Sequence, residues 1–384
     1  MARNSNTLPS IGRRTLLILT ALAAVLVTAC SSGTGSSPAA SGAASTAPAA
    51  SGAGAGSGGP IGVTLITKTA TNPFFVAMAA GAKESADKLG ITLTVAAGTE
   101  DGDTATQITA IENAISRGDK GILITPGGPD VNPAIKKARD AGLTVIALDT
   151  PPDPPDTVDI TFATDNFEAG KLIGQWTAVT LDGKPAVIAM LDLFDDKVVS
   201  VDYNRDQGFL TGMGIDTADV AKNGDEAATG NYTGGKGGTY TIACNQATKG
   251  AEAGGQTAME TCLSANPNIN VVYTINEPAA NGAYKALQAA GKTDVLITSV
   301  DGGCAGVDLV KTGVIGATSQ QYPLKMASLG VQAISDLVTS GKVPAVSEGL
   351  DFFNTGVALV TDKPATGVDS ITSDAAAAIC WGTK

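Results

Sequence analysis

Histidine is absent from all 384 residues. That removes the Ser-His and Cys-His nucleophile pairs, the usual neutral-pH general base and most zinc or iron sites. Carboxylate catalysis stays open, so the absence weighs against an enzyme without closing the case. There is no excess of basic charge either: 25 Lys and Arg face 37 Asp and Glu, a net charge of −12. This balance argues against nucleic acid, or an anionic membrane, held by a basic face. CxxC spacing is missing, so with no histidine the cysteines do not read as a metal site. The apolar run Leu16 to Val27, at twelve residues, is too short to cross a bilayer as a helix.

That run does fit the core of an export signal, with Arg13-Arg14 just before it. Val27-Thr28-Ala29-Cys30 resembles a lipobox, in which the chain is cut before the Cys and lipid is attached to it. Residues 1–29 are expected to be a signal peptide, and Cys30 the lipidated residue. Both twin-arginine and ordinary Sec export fit Arg13-Arg14-Thr15-Leu16-Leu17. From Ser31 to Pro60 only Gly, Ala, Ser, Thr and Pro occur. Such a stretch cannot bury a core, and residues 30–60 read as the lipidated Cys and a flexible linker with a reach of roughly 30 Å. The layout places a domain outside the cytoplasm, anchored by lipid to the outer face of the cell membrane or lying in a periplasm. Loss of the signal removes three arginines and no acid, which takes the charge from −12 to −15.

Beyond Cys30 there are Cys244, Cys262, Cys304 and Cys380. An even count in an exported chain points to two disulfides, and three pairings are possible. We favour Cys244 with Cys262, and Cys304 with Cys380; buried free thiols are the alternative. The first pair joins a strand end to the next helix, and a loop of that size stabilises by about 3 kcal/mol in the chain-entropy model. The second staples the C-terminal tail to the domain.

From Ile61 onward, short apolar runs alternate with helical patterns. Strands are expected at residues 61–66, 92–96, 121–124, 145–148 and 159–162. A second series is expected at 186–191, 240–244, 271–274, 295–300 and 315–319. Helical patterns at 104–117, 132–141, 167–181 and 279–290 lie between them. This alternation means parallel sheets covered on both faces, and its recurrence favours two similar lobes.

The segment Ile61 to Phe75 is the most informative. A β-branched run ends in a polar loop, and Asn72-Pro73 then opens a helix, since Pro tolerates the first helical turn. Phe74 and Phe75 stand at the mouth between strand and helix. In open α/β sheets that mouth is where ligands bind. Further polar groups follow at strand ends: Asp149, Asn276, Asp301 and Gln321, with Arg205 ahead of a helix start at Asp206-Gln207-Gly208-Phe209. Carboxylates, amides, an Arg and aromatic faces are what a polyhydroxyl ligand needs. Singly, each is more often a cap or turn residue. Glu100-Asp101-Gly102-Asp103 lacks the rest of a calcium loop and reads as a solvated turn, with Asp103 a lesser pocket candidate.

In these blocks the chain resembles the ribose-type sugar-binding proteins that serve bacterial ABC importers. The resemblance covers Ile61 to about Val360. It implies an α/β type I periplasmic binding protein fold: two doubly wound parallel-sheet lobes joined by a three-crossing hinge. The crossings are expected near Thr164-Asp165, Gln321-Tyr322 and Asp351. The N-terminal lobe is then 61–164 plus 322–351, and the C-terminal lobe 165–321 plus 352–384. The resemblance implies sugar contacts from Asn72, Phe74, Phe75, Asp149, Arg205, Asn276, Asp301 and Gln321. Lys68 replaces a small hydroxyl residue of the family, and Thr164 matches a hinge and pocket position. A third ring is expected in the C-terminal lobe, with Phe194 the candidate.

Thr125 stands where ribose binders have Asn, and Thr150 where they have Arg. Instead Ile66-Thr67-Lys68-Thr69, Thr71-Asn72-Pro73-Phe74-Phe75 and Ala147-Leu148-Asp149-Thr150-Pro151 resemble the fructose-binding branch. So do Thr274-Ile275-Asn276-Glu277-Pro278, Val300-Asp301-Gly302-Gly303-Cys304 and Thr318-Ser319-Gln320-Gln321-Tyr322-Pro323. The implied function is an extracytoplasmic, monomeric substrate-binding lipoprotein that delivers fructose, or a similar monosaccharide, to an ABC permease. It implies no enzyme activity, no cofactor and no metal. The alternatives are a sugar sensor facing a membrane receptor, or a sugar-processing enzyme using Asp149 and Asp301 as paired carboxylates.

Overall fold

The structure is a computed structural model that describes residues 61–383. The expected signal peptide, Cys30 and the linker lie outside the described residues. β1 (Gly62–Thr67) is the first β-branched run, with five of its six residues buried. Asn72 caps the next helix by accepting from the Phe74 N–H, and Pro73 takes the first helical position of α1 (Pro73–Leu89). Gly90 ends that helix in the left-handed conformation, with φ 67°.

The first sheet contains β1, β2 (Thr92–Ala97), β3 (Gly121–Ile124), β4 (Thr144–Leu148) and β5 (Ile160–Ala163). A late arrival, β12 (Phe353–Asn354), lies beside β5. The order is β12-β5-β4-β3-β1-β2, parallel throughout. α1 and α9 (Pro323–Ser340) cover one face, and α2 (Thr104–Arg117) and α3 (Asn132–Asp140) the other.

The second sheet has the order β13-β11-β10-β9-β6-β8-β7. Its strands are β6 (Ala186–Asp192), β7 (Thr229–Tyr232), β8 (Gly238–Ala247), β9 (Val271–Thr274), β10 (Leu296–Asp301), β11 (Ala317–Gln320) and β13 (Ala358–Val360). α4 (Asn166–Leu181) and α5 (Ser200–Met213) cover one face. α6 (Glu252–Ala265), α7 (Glu277–Ala289) and α8 (Cys304–Lys311) cover the other, and α10 (Ser373–Ala376) packs on α8.

Several expectations are corrected. The second sheet is not wholly parallel: β7 pairs antiparallel with β8, and β13 antiparallel with β11. β7 is mostly exposed and reads Thr-Gly-Asn-Tyr, so it carries no apolar run. α5 begins at Ser200, not at Asp206, which puts Arg205 inside the helix. The third passage between sheets lies between Asn354 and Ala358, beyond Asp351. The Phe353 ring packs on Phe162 at 5.5 Å between centroids, and this keeps the chain on the first sheet for longer. The tail does not stay wholly with the second lobe either, because Trp381 joins the first lobe's core.

Cys244 bonds to Cys262 and Cys304 to Cys380. α4 and α5 approach backbone to backbone. A Cβ at Gly170 would lie 2.1 Å from the Arg205 carbonyl oxygen, and one at Gly208 would lie 2.2 Å from that of Phe167. This close approach sets where α5 carries Arg205.

Candidate functional site

The cleft between the lobes narrows to a small cavity. Nine of the ten expected contact residues line it: Lys68, Asn72, Phe74, Phe75, Asp149, Arg205, Asn276, Asp301 and Gln321. The tenth, Thr164, is not in the lining. It is buried at the first passage between lobes, with its hydroxyl 3.5 Å from the Gly356 carbonyl.

Arg205 is the best-anchored group. Its Nε donates to Asn166 Oδ1 at 2.7 Å, and Nη1 donates to the Ile275 carbonyl at 2.8 Å. Two carboxylates face it at 4.0 Å, Asp149 from the first lobe and Asp301 from the second. Lys68 repeats the arrangement, 3.9 Å from both Asp101 and Asp149. These gaps are longer than hydrogen bonds. Opposite charges therefore stand apart around the cavity, each with capacity left for a polar ligand.

The aspartates at the strand ends hold unusual backbone: φ is 67° at Asp149 and 145° at Asp301. Such conformations cost of order 1–3 kcal/mol each and cluster at functional sites. Asp149 accepts from the Thr150 hydroxyl, and Asp301 accepts from Gln321 Nε2 at 2.7 Å. Burial pushes the Asp301 carboxyl up to about 6 against the pull of Arg205. Burial also raises the pKa of Asp101, with Lys68 opposing.

The apolar wall is Phe74 and Phe75, set edge to face at 5.3 Å. Trp381 meets Phe74 edge-on at 5.4 Å, and its indole N–H donates to the Gln321 carbonyl. This is the extra ring against the pair, and it comes from the tail. Phe194 itself is not in the lining; it sits behind it, in a small apolar cluster with Val199 and the lining residues Val201 and Ile275. Asn276 caps α7 and donates to the Gly250 carbonyl, so part of its amide is already engaged.

Across the cleft, Lys249 pairs with Glu100, and the Ser200 hydroxyl donates to the Pro151 carbonyl. Both contacts tie one lobe to the other. No His, Cys, Asp and Glu group of three or more among the described residues is placed to hold a metal ion.

The model of the periplasmic binding protein domain matches residues 61–342. This chain belongs to that family. Among curated proteins, this periplasmic binding protein is similar to the ribose import binding protein of Salmonella typhimurium. The two are 29% identical over 284 residues, covering 74% of this chain and 86% of the relative. It is also 29% identical to the D-apiose import binding protein of Actinobacillus succinogenes over 281 residues, covering 73% of this chain and 82% of that one. Among solved structures it resembles a galactofuranose binding protein with TM-score 0.66 and 26% identity, covering 78% of this chain and 94% of that chain. These relatives are sugar-binding transport proteins, not enzymes. The two-lobed α/β fold is the type I periplasmic binding protein fold.

Four lining residues of this periplasmic binding protein escape a reading of the sequence: Asp101, Leu193, Val201 and Ile275. Asp101 is expected in a solvated turn, yet it is 9% exposed and faces Lys68. The expectation that Lys68 lines the pocket was the available signal, since a buried ammonium needs a carboxylate nearby. Asp103 caps α2 and is not in the lining. Among the described residues no helix is long and apolar enough to cross a membrane.

Proposed function

We propose that this protein is the extracytoplasmic binding component of an ABC sugar importer. It captures fructose, or a similar small monosaccharide, between its lobes and delivers it to a permease. A monomer held at the outer membrane face through lipid on Cys30 fits the expected N-terminal layout. The curated relatives support the class, since their names describe sugar import.

One observation carries the reading: Arg205 faces Asp149 and Asp301 at 4.0 Å each, beside the paired rings of Phe74 and Phe75. Two cations and three carboxylates lie around the cavity, so no large charge of one sign selects an ionic ligand. Hydroxyl groups both donate and accept, and can bridge such separated pairs. The phenylalanine faces suit the C–H surface of a ring. By the resemblance, Thr125 stands where ribose binders have Asn, Thr150 where they have Arg and Lys68 where they have a small hydroxyl residue, which speaks against ribose.

Calorimetry with fructose, ribose, allose, glucose, galactose and myo-inositol tests this on the domain from Gly59. Tight one-to-one binding of fructose is expected. Tight binding of another sugar would keep the importer role and overturn fructose. A folded domain that binds none of them would remove the reading.

A further inference from the structure

Near its C-terminal end the chain touches both lobes at once. The Trp381 ring is 6% exposed and lies in the first lobe's core with Phe74, Phe75 and Met78. Its backbone is held by the second lobe. The Trp381 carbonyl accepts from the Cys304 N–H at 2.9 Å, at the start of α8, and the preceding Cys380 is bonded to Cys304. The same ring covers Gly303, where a Cβ would lie 3.2 Å from it. One side chain is therefore anchored in one lobe and packed in the other.

Trp381 is not in the lining of the cavity, but two of its contacts are. Phe74, from the first lobe, meets its ring edge-on at 5.4 Å. Gln321, where the chain leaves the second sheet, takes its indole N–H on the backbone carbonyl at 2.8 Å. Gln321 in turn holds Asp301 twice. Its Nε2 donates to Asp301 Oδ1 at 2.7 Å, and its backbone N–H donates to the Asp301 carbonyl at 2.9 Å. From one indole, one contact leads to the aromatic wall and the other to a carboxylate across the cleft. A Trp side chain is large and rigid, with only two χ angles, so it transmits position where a flexible chain would absorb it.

We propose that Trp381 is a positioning residue for sugar binding: held by the Cys304–Cys380 bond, it sets the spacing across the cleft between the Phe74 ring and the Gln321–Asp301 pair. The inference rests on the sugar-binding reading above. It makes the two disulfides unequal. Cys304–Cys380 adjoins the positioning ring, whereas Cys244–Cys262 joins β8 to α6 and serves as the control.

The test compares the parent chain with Trp381→Ala, Trp381→Phe and the double serine variant of each disulfide, at a temperature where denaturation curves show all of them folded. Calorimetry reads fructose affinity, and hydrogen–deuterium exchange reads the ligand-free chain. Trp381→Ala should weaken fructose binding about tenfold, the scale of a lost aromatic pair. Trp381→Phe keeps a ring for Phe74 without the N–H and should recover part of the loss. Cys304→Ser with Cys380→Ser should also weaken binding. Cys244→Ser with Cys262→Ser should lower Tm yet leave affinity within about twofold, as for a distant site. Exchange over residues 72–78 and 318–322 should quicken in Trp381→Ala. A tail that only steadies α8 would instead lower Tm and quicken exchange over 304–311, with fructose affinity and residues 72–78 unchanged, and that result would overturn the positioning role. A parent chain that binds no fructose would overturn the fructose reading, and the ligand-free exchange then decides separately. Faster exchange at 72–78 and 318–322 in Trp381→Ala upholds the positioning role, and unchanged exchange there overturns it.

Discussion

Asn166 Oδ1 accepts from Arg205 Nε at 2.7 Å, while its amide nitrogen donates to the Thr164 carbonyl at 3.2 Å. One side chain thus links the hinge backbone to the guanidinium that faces both lobes' carboxylates. Asn166 is buried and outside the cavity lining, so its role is to aim Arg205. Asn166→Ala should lower sugar affinity about tenfold, the scale of one lost bond to a charged group. Asn166→Asp, which keeps an acceptor for the guanidinium, should recover part of the loss in the same calorimetry. Equal affinity in Asn166→Ala and the parent would remove the aiming role.

Arg205 itself carries more. Arg205→Ala strips the counter-charge from Asp149 and Asp301 and leaves the Ile275 carbonyl without its donor. Truncating one partner of a buried charge pair costs about 2–5 kcal/mol, so affinity should fall at least about thirtyfold. Arg205→Lys should fare little better, because an ammonium cannot repeat the planar fork. Circular dichroism should show the fold retained. Parent-like affinity in Arg205→Ala would take Arg205 out of the site.

The α4–α5 contact should be the most sensitive apolar feature. A methyl group at position 208 would lie 2.2 Å from the Phe167 carbonyl oxygen, a backbone atom that a side-chain rotation cannot move aside. Gly208→Ala should therefore destabilise by about 1–3 kcal/mol, as overpacking does. It should also weaken sugar binding by displacing Arg205 from Asn166. Chemical denaturation measures the first effect and calorimetry the second. Unchanged stability would mean that the helices separate freely.

Much of this was legible in advance because the signals were local. Asn72-Pro73 announces a capped helix, and the apolar runs mark the central strands to within about three residues. Nine of the residues that the resemblance marks line the cavity, because the strand ends and helix starts that carry them face the cleft. What was not legible depends on distant chain. Trp381 reaches Phe74 through ties to distant chain: the Cys304–Cys380 disulfide beside it and its indole bond to the Gln321 carbonyl. Asp101 looks like a turn residue until Lys68 is buried beside it. β7 and β13 lack apolar runs long enough to see, and they form by pairing with edges already present.

Glu277 provides a pH test. Its Oε1 accepts from the Gly302 N–H at 2.8 Å and the Thr318 hydroxyl at 2.9 Å, and Oε2 accepts from the Gly303 N–H at 3.1 Å. Burial, reinforced by the charge of Asp301, outweighs those bonds and lifts the carboxyl from 4.5 to about 8. A carboxyl raised on folding adds stability below its unfolded pKa, and that stability is lost as pH rises through the folded value. The Tm of the ligand-free protein should thus fall as pH rises from about 4.5 to about 8. Asp301, raised to about 6, adds to the lower part of that fall. Glu277→Gln removes one titration and keeps an oxygen for Gly302 and Thr318, so its Tm should decline less over the same range. At the acid end the parent carries a neutral carboxyl there, and the two chains should differ least. Parallel Tm curves for parent and variant would show that Glu277 has an ordinary pKa, set by its three hydrogen bonds and not by its burial.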